Sequence, residues 1–315
     1  MSEQGMNSRR GFLRTLAGLP AALSLFAGGA HAAKEIPRRV LGRTGLSCTM
    51  LGFGAAWLGI YKMEEPALEL GRRALELGVN FFDTARDYGV SEERLGKVLE
   101  GKRKNVVLMT KVLGRSRAEA EKELETSLRM LRTDYLDVWQ IHSVRVQREL
   151  DMIFAADGAL EAAVAAQKAG KVRFIGVTGH KDPEIVLKAL AGYDFDTVQM
   201  PLNLVDPFYR SFEKTVLPEL VKRKTGVLAM KSMAGGWMLQ KGVARAKEAL
   251  PYVWSLPVHV LISGVQTLEQ LEENAKLAQS FKPLSEKEKA ALLEQARPKA
   301  GNQTEYYKMK PDGSL

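Results

Sequence analysis

Short apolar runs alternate with longer amphipathic stretches along most of the chain. The apolar runs predict strands that are buried on both faces, because they are almost continuously hydrophobic. They lie near residues 49–53, 79–83, 106–111, 136–141, 173–177, 197–201, 226–231 and 259–263. Helical patterns lie near residues 65–77, 91–100, 117–132, 159–169, 183–191, 213–224, 241–250 and 267–279. Strict alternation of strand and helix predicts an α/β fold with a parallel sheet, and eight such units predict closure into a (β/α)8 TIM barrel.

Residues that favour helix ends stand at several of these boundaries. Ser91 and Thr267 precede acidic residues, which predicts that both cap the first turn of a helix. Gly78, Gly170 and Gly192 follow predicted helices, where a left-handed residue is common. These signals support the proposed division into strand–helix units.

Composition limits the class of protein. The chain has 315 residues, of which 45% are hydrophobic and 26% charged, as in an ordinary soluble globular protein. The formal net charge is +9, but the short basic runs at 102–104 and 222–224 end predicted helices and have no interleaved aromatic residues. We therefore expect no nucleic-acid partner. Cys48 is the only cysteine, which excludes an internal disulfide.

The first 32 residues have the pattern of an export signal. Residues 8–14 contain the pair Arg9 and Arg10 in a twin-arginine motif, and an apolar stretch follows from about 16 to 27. Small residues at 30–32 offer a cleavage site. We expect recognition by the twin-arginine translocation machinery, a folded protein in the periplasm, and a mature domain over residues 33–315 with no membrane span. An uncleaved anchor or a plain extension remains the alternative.

Four residues near the ends of predicted strands carry the candidate chemistry. Asp83, Lys111 and His142 each close an apolar run, and Tyr88 follows Asp83 by five positions. The active site of a parallel α/β barrel lies at the carboxyl ends of its strands, so these side chains are expected to meet. They combine an acid (Tyr88), a cation that lowers the pKa of its phenol, a carboxylate that holds the cation, and a polar neighbour. Taken singly, each has a structural explanation, such as an ion pair that seals the barrel or a helix cap.

The sequence segments around these residues resemble motifs of the aldo-keto reductase family. Its signature matches Phe82-Asp83-Thr84-Ala85-x-x-Tyr88-Gly89-x-Ser91-Glu92-x-x-Leu95-Gly96. Further matches lie at 41–47, 51–54, 170–177 and 271–274, so the resemblance spans about residues 38 to 280. It implies a barrel with an N-terminal hairpin over its bottom, and reduction of small aldehydes or ketones (or oxidation of the matching alcohols). It also implies that NADP(H) or NAD(H) supplies the hydride and Tyr88 the proton, while His142 orients the substrate carbonyl.

The cofactor contacts that the resemblance implies depart from the family pattern. They are Thr178, Gln199, Met230, Lys231, Ser232, Ser263, Gly264, Gln266, Gln270, Glu273 and Asn274. Met230 stands where an aromatic residue commonly stacks on the nicotinamide. Gly264 and Gln270 stand where NADPH-preferring members keep Lys and Arg, which leaves the preference between the two cofactors open. The histidines show no metal-ligand spacing, so no metal is expected.

Two tryptophans are candidates for the substrate pocket, and one alternative function stays open. Trp57 and Trp237 either line the substrate pocket or pack beneath its loops. The rival is a cofactor-occupied barrel that serves as a redox-sensing or assembly subunit with little turnover. A barrel hydrolase is disfavoured, because Cys48 precedes the first barrel strand and no nucleophile constellation is evident.

Overall fold

The N-terminal hairpin predicted from the family resemblance is present and closes the bottom of the molecule. The computed structural model describes residues 35–310 and 314, so the predicted export signal lies outside the described residues. Strands β1 (Arg38–Val40) and β2 (Ser47–Thr49) pair antiparallel. The hairpin and its loop bury Leu41, Leu46 and Cys48 in a core cluster with side chains from the barrel interior.

Eight parallel strands form a closed barrel in the order of the chain, and the last of them pairs with the first. They are β3 (Leu51–Gly54), β4 (Phe81–Asp83), β5 (Val107–Val112), β6 (Leu136–Ile141), β7 (Val172–Thr178), β8 (Thr197–Pro201), β9 (Gly226–Met230) and β10 (Val260–Ser263). Nearly every strand residue is buried, because side chains on one face fill the barrel and those on the other meet the helices. The predicted (β/α)8 fold is confirmed.

Helices cover the outside of the barrel. They are α1 (Ala56–Ile60), α2 (Glu64–Glu76), α3 (Ser91–Val98), α4 (Arg117–Leu131), α5 (Gln147–Ile153), α6 (Ala159–Lys168), α7 (Pro183–Gly192), α8 (Phe212–Thr215), α9 (Leu217–Arg223), α10 (Trp237–Gln240), α11 (Ala246–Trp254), α12 (Leu268–Gln279) and α13 (Glu286–Ala296). Within residues 35–310, no helix combines the length and apolar character needed to cross a membrane.

Some predicted boundaries were wrong, for local reasons. The helix predicted over 241–250 begins instead at Ala246, because Gly242 has a φ of 59°, which a helix does not accommodate. Ser91 does not cap α3: its hydroxyl donates to the carbonyl oxygen of Ala55 at 2.7 Å. Gly192 is the last residue of α7, and a Cβ there would lie 2.8 Å from the Phe154 ring, so close packing requires the glycine. The predicted cap at Thr267 is confirmed, since its hydroxyl accepts from the Gln270 amide.

The end of the described chain returns across the barrel as a strap, residues 304–309, which the sequence analysis did not predict. Lys308 is buried in this strap and makes two ion pairs, at 2.7 Å with Asp206 and 2.8 Å with Glu305. Asn203 donates to Glu305 at 3.1 Å. Because Asn203 and Asp206 follow β8, the strap lies at the carboxyl end of the barrel, where the candidate site is.

Candidate active site

The barrel brings the four predicted catalytic residues together at the carboxyl ends of neighbouring strands. Asp83 is the last residue of β4, Lys111 lies near the end of β5, and His142 directly follows β6. All three side chains are buried, whereas Tyr88, in the loop between β4 and α3, is partly exposed. The parallel register explains the meeting, since β4, β5 and β6 are adjacent in the barrel.

The ammonium group of Lys111 is bound by two oxygen atoms at the end of β4. Its Nζ donates to Asp83 Oδ1 at 2.5 Å and to the Thr84 carbonyl oxygen at 2.7 Å. The second carboxylate oxygen of Asp83 accepts from Gln199 Nε2 at 3.1 Å. The buried charge of Lys111 is therefore paired and hydrogen-bonded, as a buried ammonium must be.

Tyr88 lies between the lysine and the histidine. The centroid of its ring is 4.9 Å from Lys111 Nζ and 5.9 Å from the His142 ring, which it meets edge-on at 81°. Burial raises the pKa of Tyr88 above its ordinary value, and the positive charge of Lys111 offsets only part of that rise. Lys111 lowers the pKa of this phenol as expected, but desolvation is the larger effect and sets the net direction.

Asp87 is a neighbour of the site that the sequence analysis did not single out. Its Oδ1 lies 3.2 Å from His142 Nδ1. Burial lowers the pKa of His142, and the carboxylate of Asp87 opposes that change without reversing it. The lowered pKa favours the neutral imidazole at neutral pH. The signal for Asp87 was available, since it immediately precedes Tyr88 in the loop.

Two of the predicted cofactor contacts flank the four candidate catalytic residues Asp83, Tyr88, Lys111 and His142, which we call the tetrad. Thr178 is buried at the end of β7, where its hydroxyl accepts from the Ser143 amide at 2.6 Å. Gln199 lies on β8, and its Oε1 is shielded from solvent with no hydrogen-bond partner in the described part of the chain. A buried hydrogen-bond acceptor normally has a donor, and the NH2 group of a nicotinamide carboxamide would be such a donor. The residues present therefore fit a nicotinamide at this position.

The loop after β9 carries three further predicted cofactor contacts. Met230 ends the strand and is buried, and Ser232 is buried as well. Lys231, between them, is partly exposed and has a φ of 57°, which is uncommon for a residue with a side chain. Its carbonyl oxygen accepts from Asn203 Nδ2 at 3.3 Å and from the Ala234 amide at 2.7 Å. The loop is thus tied back to the end of β8.

The residues predicted to hold the adenosine half of the cofactor lie at and beyond the end of β10. Several make hydrogen bonds within the loop itself: Asn274 donates to the hydroxyl of Ser263 at 3.0 Å, and Gln270 Oε1 accepts from the Gln266 amide at 2.8 Å. Glu273 is exposed on α12. Gln270 and Asn274 therefore shape the loop at the start of α12, a role that the sequence analysis did not assign to them.

The two tryptophans lie in different surroundings. Trp57 is partly buried beside Gly264, where a Cβ would lie 3.8 Å from the indole Cδ1. Trp237 is 37% exposed, and its ring contacts Tyr306 of the strap at 6.2 Å between centroids. Trp57 is thus close to the predicted cofactor loop, whereas Trp237 packs against the strap.

Besides Asp87, two groups of residues near the site were missed by sequence reasoning. His180 contacts His142, with 6.0 Å between ring centroids. The strap adds Tyr307, whose hydroxyl is 3.0 Å from Asn203 Nδ2. His180 had a signal, since it follows the pair Thr178–Gly179 that departs from the family pattern. In residues 35–310, no three His, Cys, Asp or Glu side chains are grouped so that they could hold a metal ion.

Comparison with known proteins supports one family. The model of the aldo/keto reductase family matches residues 50–249. An uncharacterized oxidoreductase of Bacillus subtilis, YqkF, is 26% identical over 304 residues, which cover 81% of this chain and 95% of that protein. L-galactose dehydrogenase of Arabidopsis thaliana is 32% identical over 235 residues, covering 69% of this chain and 72% of the relative.

Solved structures agree on the fold. The holo form of aldo-keto reductase AKR11C1 from Bacillus halodurans aligns with a TM-score of 0.73 and 24% identity, covering 86% of this chain and all of that one. The region that the family model matches contains the tetrad and begins just after the hairpin. Its strands belong to the closed eight-stranded barrel described above. The chain is an NAD(P)H-dependent oxidoreductase and belongs to the aldo/keto reductase family.

Proposed function

We propose that this protein reduces small aldehydes or ketones, or oxidises the matching alcohols, with Tyr88 as the proton donor. The observation that carries the proposal is the position of the Tyr88 ring, 4.9 Å from Lys111 Nζ and 5.9 Å from the His142 ring. A phenol flanked by a paired ammonium and a neutral imidazole is arranged to give a proton to an oxygen. If Asp83 and Lys111 formed an ion pair that only sealed the end of the barrel, no tyrosine would be required beside it.

The proton step follows from the charges of the site. When a carbonyl is reduced, the carbon receives a hydride and the oxygen receives a proton, and the bound nicotinamide supplies the hydride. Tyr88 keeps its proton near neutral pH, because burial raises the pKa of its phenol. When that proton passes to the substrate oxygen, the phenolate that remains is stabilised by the positive charge of Lys111. The carboxylate of Asp83 keeps that charge in place.

His142 orients the carbonyl in this proposal. Burial keeps the pKa of its imidazole low, so the ring is neutral and can donate one hydrogen bond to the substrate oxygen. Asp87 Oδ1, 3.2 Å from Nδ1, restrains the ring next to Tyr88 by contact.

The cofactor would be held by the carboxyl ends of β7 to β10. Gln199, with its unpartnered Oε1, and Thr178 are proposed contacts of the carboxamide. Met230, Lys231, Ser232, Ser263, Gly264, Gln266, Gln270, Glu273 and Asn274 complete the proposed set. Since Gly264 and Gln270 provide no cation for a 2′-phosphate, we propose weak discrimination between NADPH and NADH.

The proposal also includes export. Residues 1–32 would direct the folded protein through the twin-arginine machinery, and residues 33–315 would form the mature barrel in the periplasm. The motif at Arg9 and Arg10 and the following apolar stretch support this. The single cysteine agrees with it, because a fold completed in the reducing cytoplasm does not need a disulfide.

Turnover is the direct test. The purified protein is incubated with NADH or NADPH and a panel of short-chain and aromatic aldehydes and ketones, and oxidation of the cofactor is followed at 340 nm, the usual wavelength. We expect steady turnover with at least one class of carbonyl. Tight cofactor binding without turnover on any carbonyl or alcohol would contradict the proposal and favour the redox-sensing or assembly subunit.

A further inference from the structure

One lysine at the carboxyl end of the barrel has no anionic partner. Lys231 Nζ forms no ion pair with any carboxylate of residues 35–310, although the side chain is only partly exposed. Its Nζ lies 5.7 Å from the ring centroid of Tyr307 in the strap. Burial lowers the pKa of this lysine, as expected for a cation that lacks a counter-charge.

A histidine beside the tetrad is also incompletely bonded. His180 contacts the His142 ring at 6.0 Å and an interplanar angle of 60°. Its Nδ1 is shielded from solvent and has no hydrogen-bond partner among the described residues. Burial lowers the pKa of His180 well below its ordinary value, and the positive charge of Lys231 adds to this effect.

The carboxylates nearby are already engaged. Asp83 is bound by Lys111 and Gln199, and Asp87 faces His142. Those of the strap region, Asp206 and Glu305, both pair with Lys308. The acidic side chains around the site thus leave the charge of Lys231 unbalanced, and a ligand with a negative group would balance it.

The strap holds this basic pair in a defined position. The Met309 amide donates to the carbonyl oxygen of Lys181, next to His180, at 3.0 Å. Asn203, which is bonded to the strap through Glu305 and Tyr307, donates to the Lys231 carbonyl oxygen at 3.3 Å. Lys231 also keeps a left-handed backbone, and such strain persists at functional sites when the surroundings enforce it.

We propose that Lys231 and His180 form a carboxylate subsite beside the tetrad, so that the preferred substrates are small aldehydes or ketones that carry a carboxylate. The inference rests on the proposed function, names its substrate class, and assigns the side chain of Lys231 to the substrate in place of the cofactor. The carboxylate oxygens would accept hydrogen bonds from Lys231 Nζ and from a protonated nitrogen of the His180 imidazole. The cofactor phosphates offer the same oxyanion chemistry. The substrate is favoured because His180 packs on His142, the residue proposed to orient the carbonyl.

Matched substrates test the inference. The ratio of kcat/KM for 4-carboxybenzaldehyde to that for its methyl ester is measured in the wild type, Lys231→Met, His180→Leu and Lys241→Met. Lys241 is the control, since it lies near the same loop and also stands over an aromatic ring, 5.1 Å from Trp237. We expect the wild type to favour the carboxylate, and Lys231→Met to lower the ratio by about tenfold to a hundredfold, the value of one charge-assisted contact.

Two results would overturn the inference while the proposed function stands. One is a wild type that reduces acid and ester equally well. The other is a Lys231→Met variant that keeps the wild-type ratio and instead raises the Kd for NADPH and NADH tenfold or more, because the lysine then binds a cofactor phosphate.

A binding measurement separates the subsite from turnover. Calorimetric titration of the protein with 4-carboxybenzyl alcohol and with benzyl alcohol, with and without oxidised cofactor, requires no reaction. If no carbonyl is reduced but the acid binds more tightly and needs Lys231, the subsite stands and the proposed function fails. If neither alcohol shows binding that depends on Lys231, the subsite is refuted whatever the turnover. His180→Leu should weaken the acid in the same assay, and Lys241→Met should not.

Discussion

Gly59 approaches Tyr88 so closely that a Cβ on Gly59 would lie 1.7 Å from the carbonyl oxygen of Tyr88. Helix α1 therefore packs directly on the backbone of the residue proposed as the proton donor. The contact joins the loop after β3 to the loop after β4, so the first helix of the barrel helps to set the position of the phenol.

Gly59→Ala should consequently displace Tyr88. No side chain separates the methyl group from the backbone, so the loop or the helix must move, at a cost of about 1–3 kcal/mol of folding stability. We expect a lower Tm and a fall in kcat of tenfold or more, because small misplacements of a catalytic group are costly. Ile60→Ala is the control, since this side chain on the same helix is exposed. Wild-type kcat and Tm in Gly59→Ala would contradict the close contact.

Tyr88→Phe tests the proton donor itself. Removing the hydroxyl should lower kcat for carbonyl reduction by about 10² or more, the usual contribution of a positioned acid, and leave the cofactor Kd and the Tm nearly unchanged. Steady-state kinetics and a cofactor titration by protein fluorescence provide the measurements. Tyr193→Phe is a matched control, because Tyr193 lies at the other end of the barrel, where it packs on Phe195. Near-normal turnover of Tyr88→Phe would refute the assignment.

The cofactor preference is expected to be weak and easily changed. Because no cation stands at Gly264 or Gln270, the Kd values for NADPH and NADH should lie within about 30-fold of each other. Gly264→Lys should shift the preference towards NADPH, and the position tolerates a side chain, since its Cβ would meet only Trp57, at 3.8 Å. Gly264→Met controls for size. Gln270→Arg adds a second cation but loses the hydrogen bond to the Gln266 amide.

Titration of the wild type and these variants with both reduced cofactors gives the four Kd values needed for each comparison. A wild type that binds NADPH more than about a thousandfold better than NADH would show that another basic residue binds the 2′-phosphate.

Export depends on the paired arginines in our proposal. Arg9→Lys combined with Arg10→Lys should leave a folded, active protein in the cytoplasm, because the change affects only the export motif. Cell fractionation and activity assays of each fraction measure this, and the mature N-terminus should be Ala33 by intact mass. Efficient export of the double variant to the periplasm would contradict the twin-arginine prediction.

One half-buried acid, Glu213, should contribute a loss of stability between about pH 4.5 and pH 7. Burial raises the pKa of Glu213 from 4.5 to about 7, against the opposing effect of its hydrogen bond from Tyr252. The folded state therefore holds this proton more tightly than the unfolded chain, and the resulting stabilisation is present below pH 4.5 and is lost as the pH rises through 7.

Glu213→Gln removes this dependence, because the amide cannot ionise but still accepts the Tyr252 hydrogen bond. The difference in Tm between the variant and the wild type should grow in favour of the variant from pH 5 to pH 8. Glu219→Gln is the control, since the pKa of Glu219 is lowered, chiefly by its hydrogen bond with Arg223. Glu219 therefore stays ionised from pH 5 to pH 8, and the difference in Tm between this variant and the wild type should not change over that range. A difference in Tm that does not change with pH would rule out the raised pKa of Glu213.

The order of elements and the members of the tetrad followed from the sequence by itself. Strands buried on both faces appear as continuous apolar runs, and parallel strands all end at one side of the barrel, so Asp83, Lys111 and His142 had to meet. These properties depend on residue type and on spacing along the chain. The order of elements and the members of the tetrad do not depend on which side chains from distant parts of the sequence come into contact.

Only the tertiary structure decided how the site is held and charged. Gln199 bonds Asp83 across 116 positions and Lys308 bonds Asp206 across 102, and neither pairing has a period or a local motif. The net pKa shift of Tyr88 depended on burial, which a motif does not report. Long-range packing creates these contacts after the chain has folded, so a pattern of neighbouring residues identifies the candidate acids and bases but leaves their partners and their protonation to the three-dimensional arrangement.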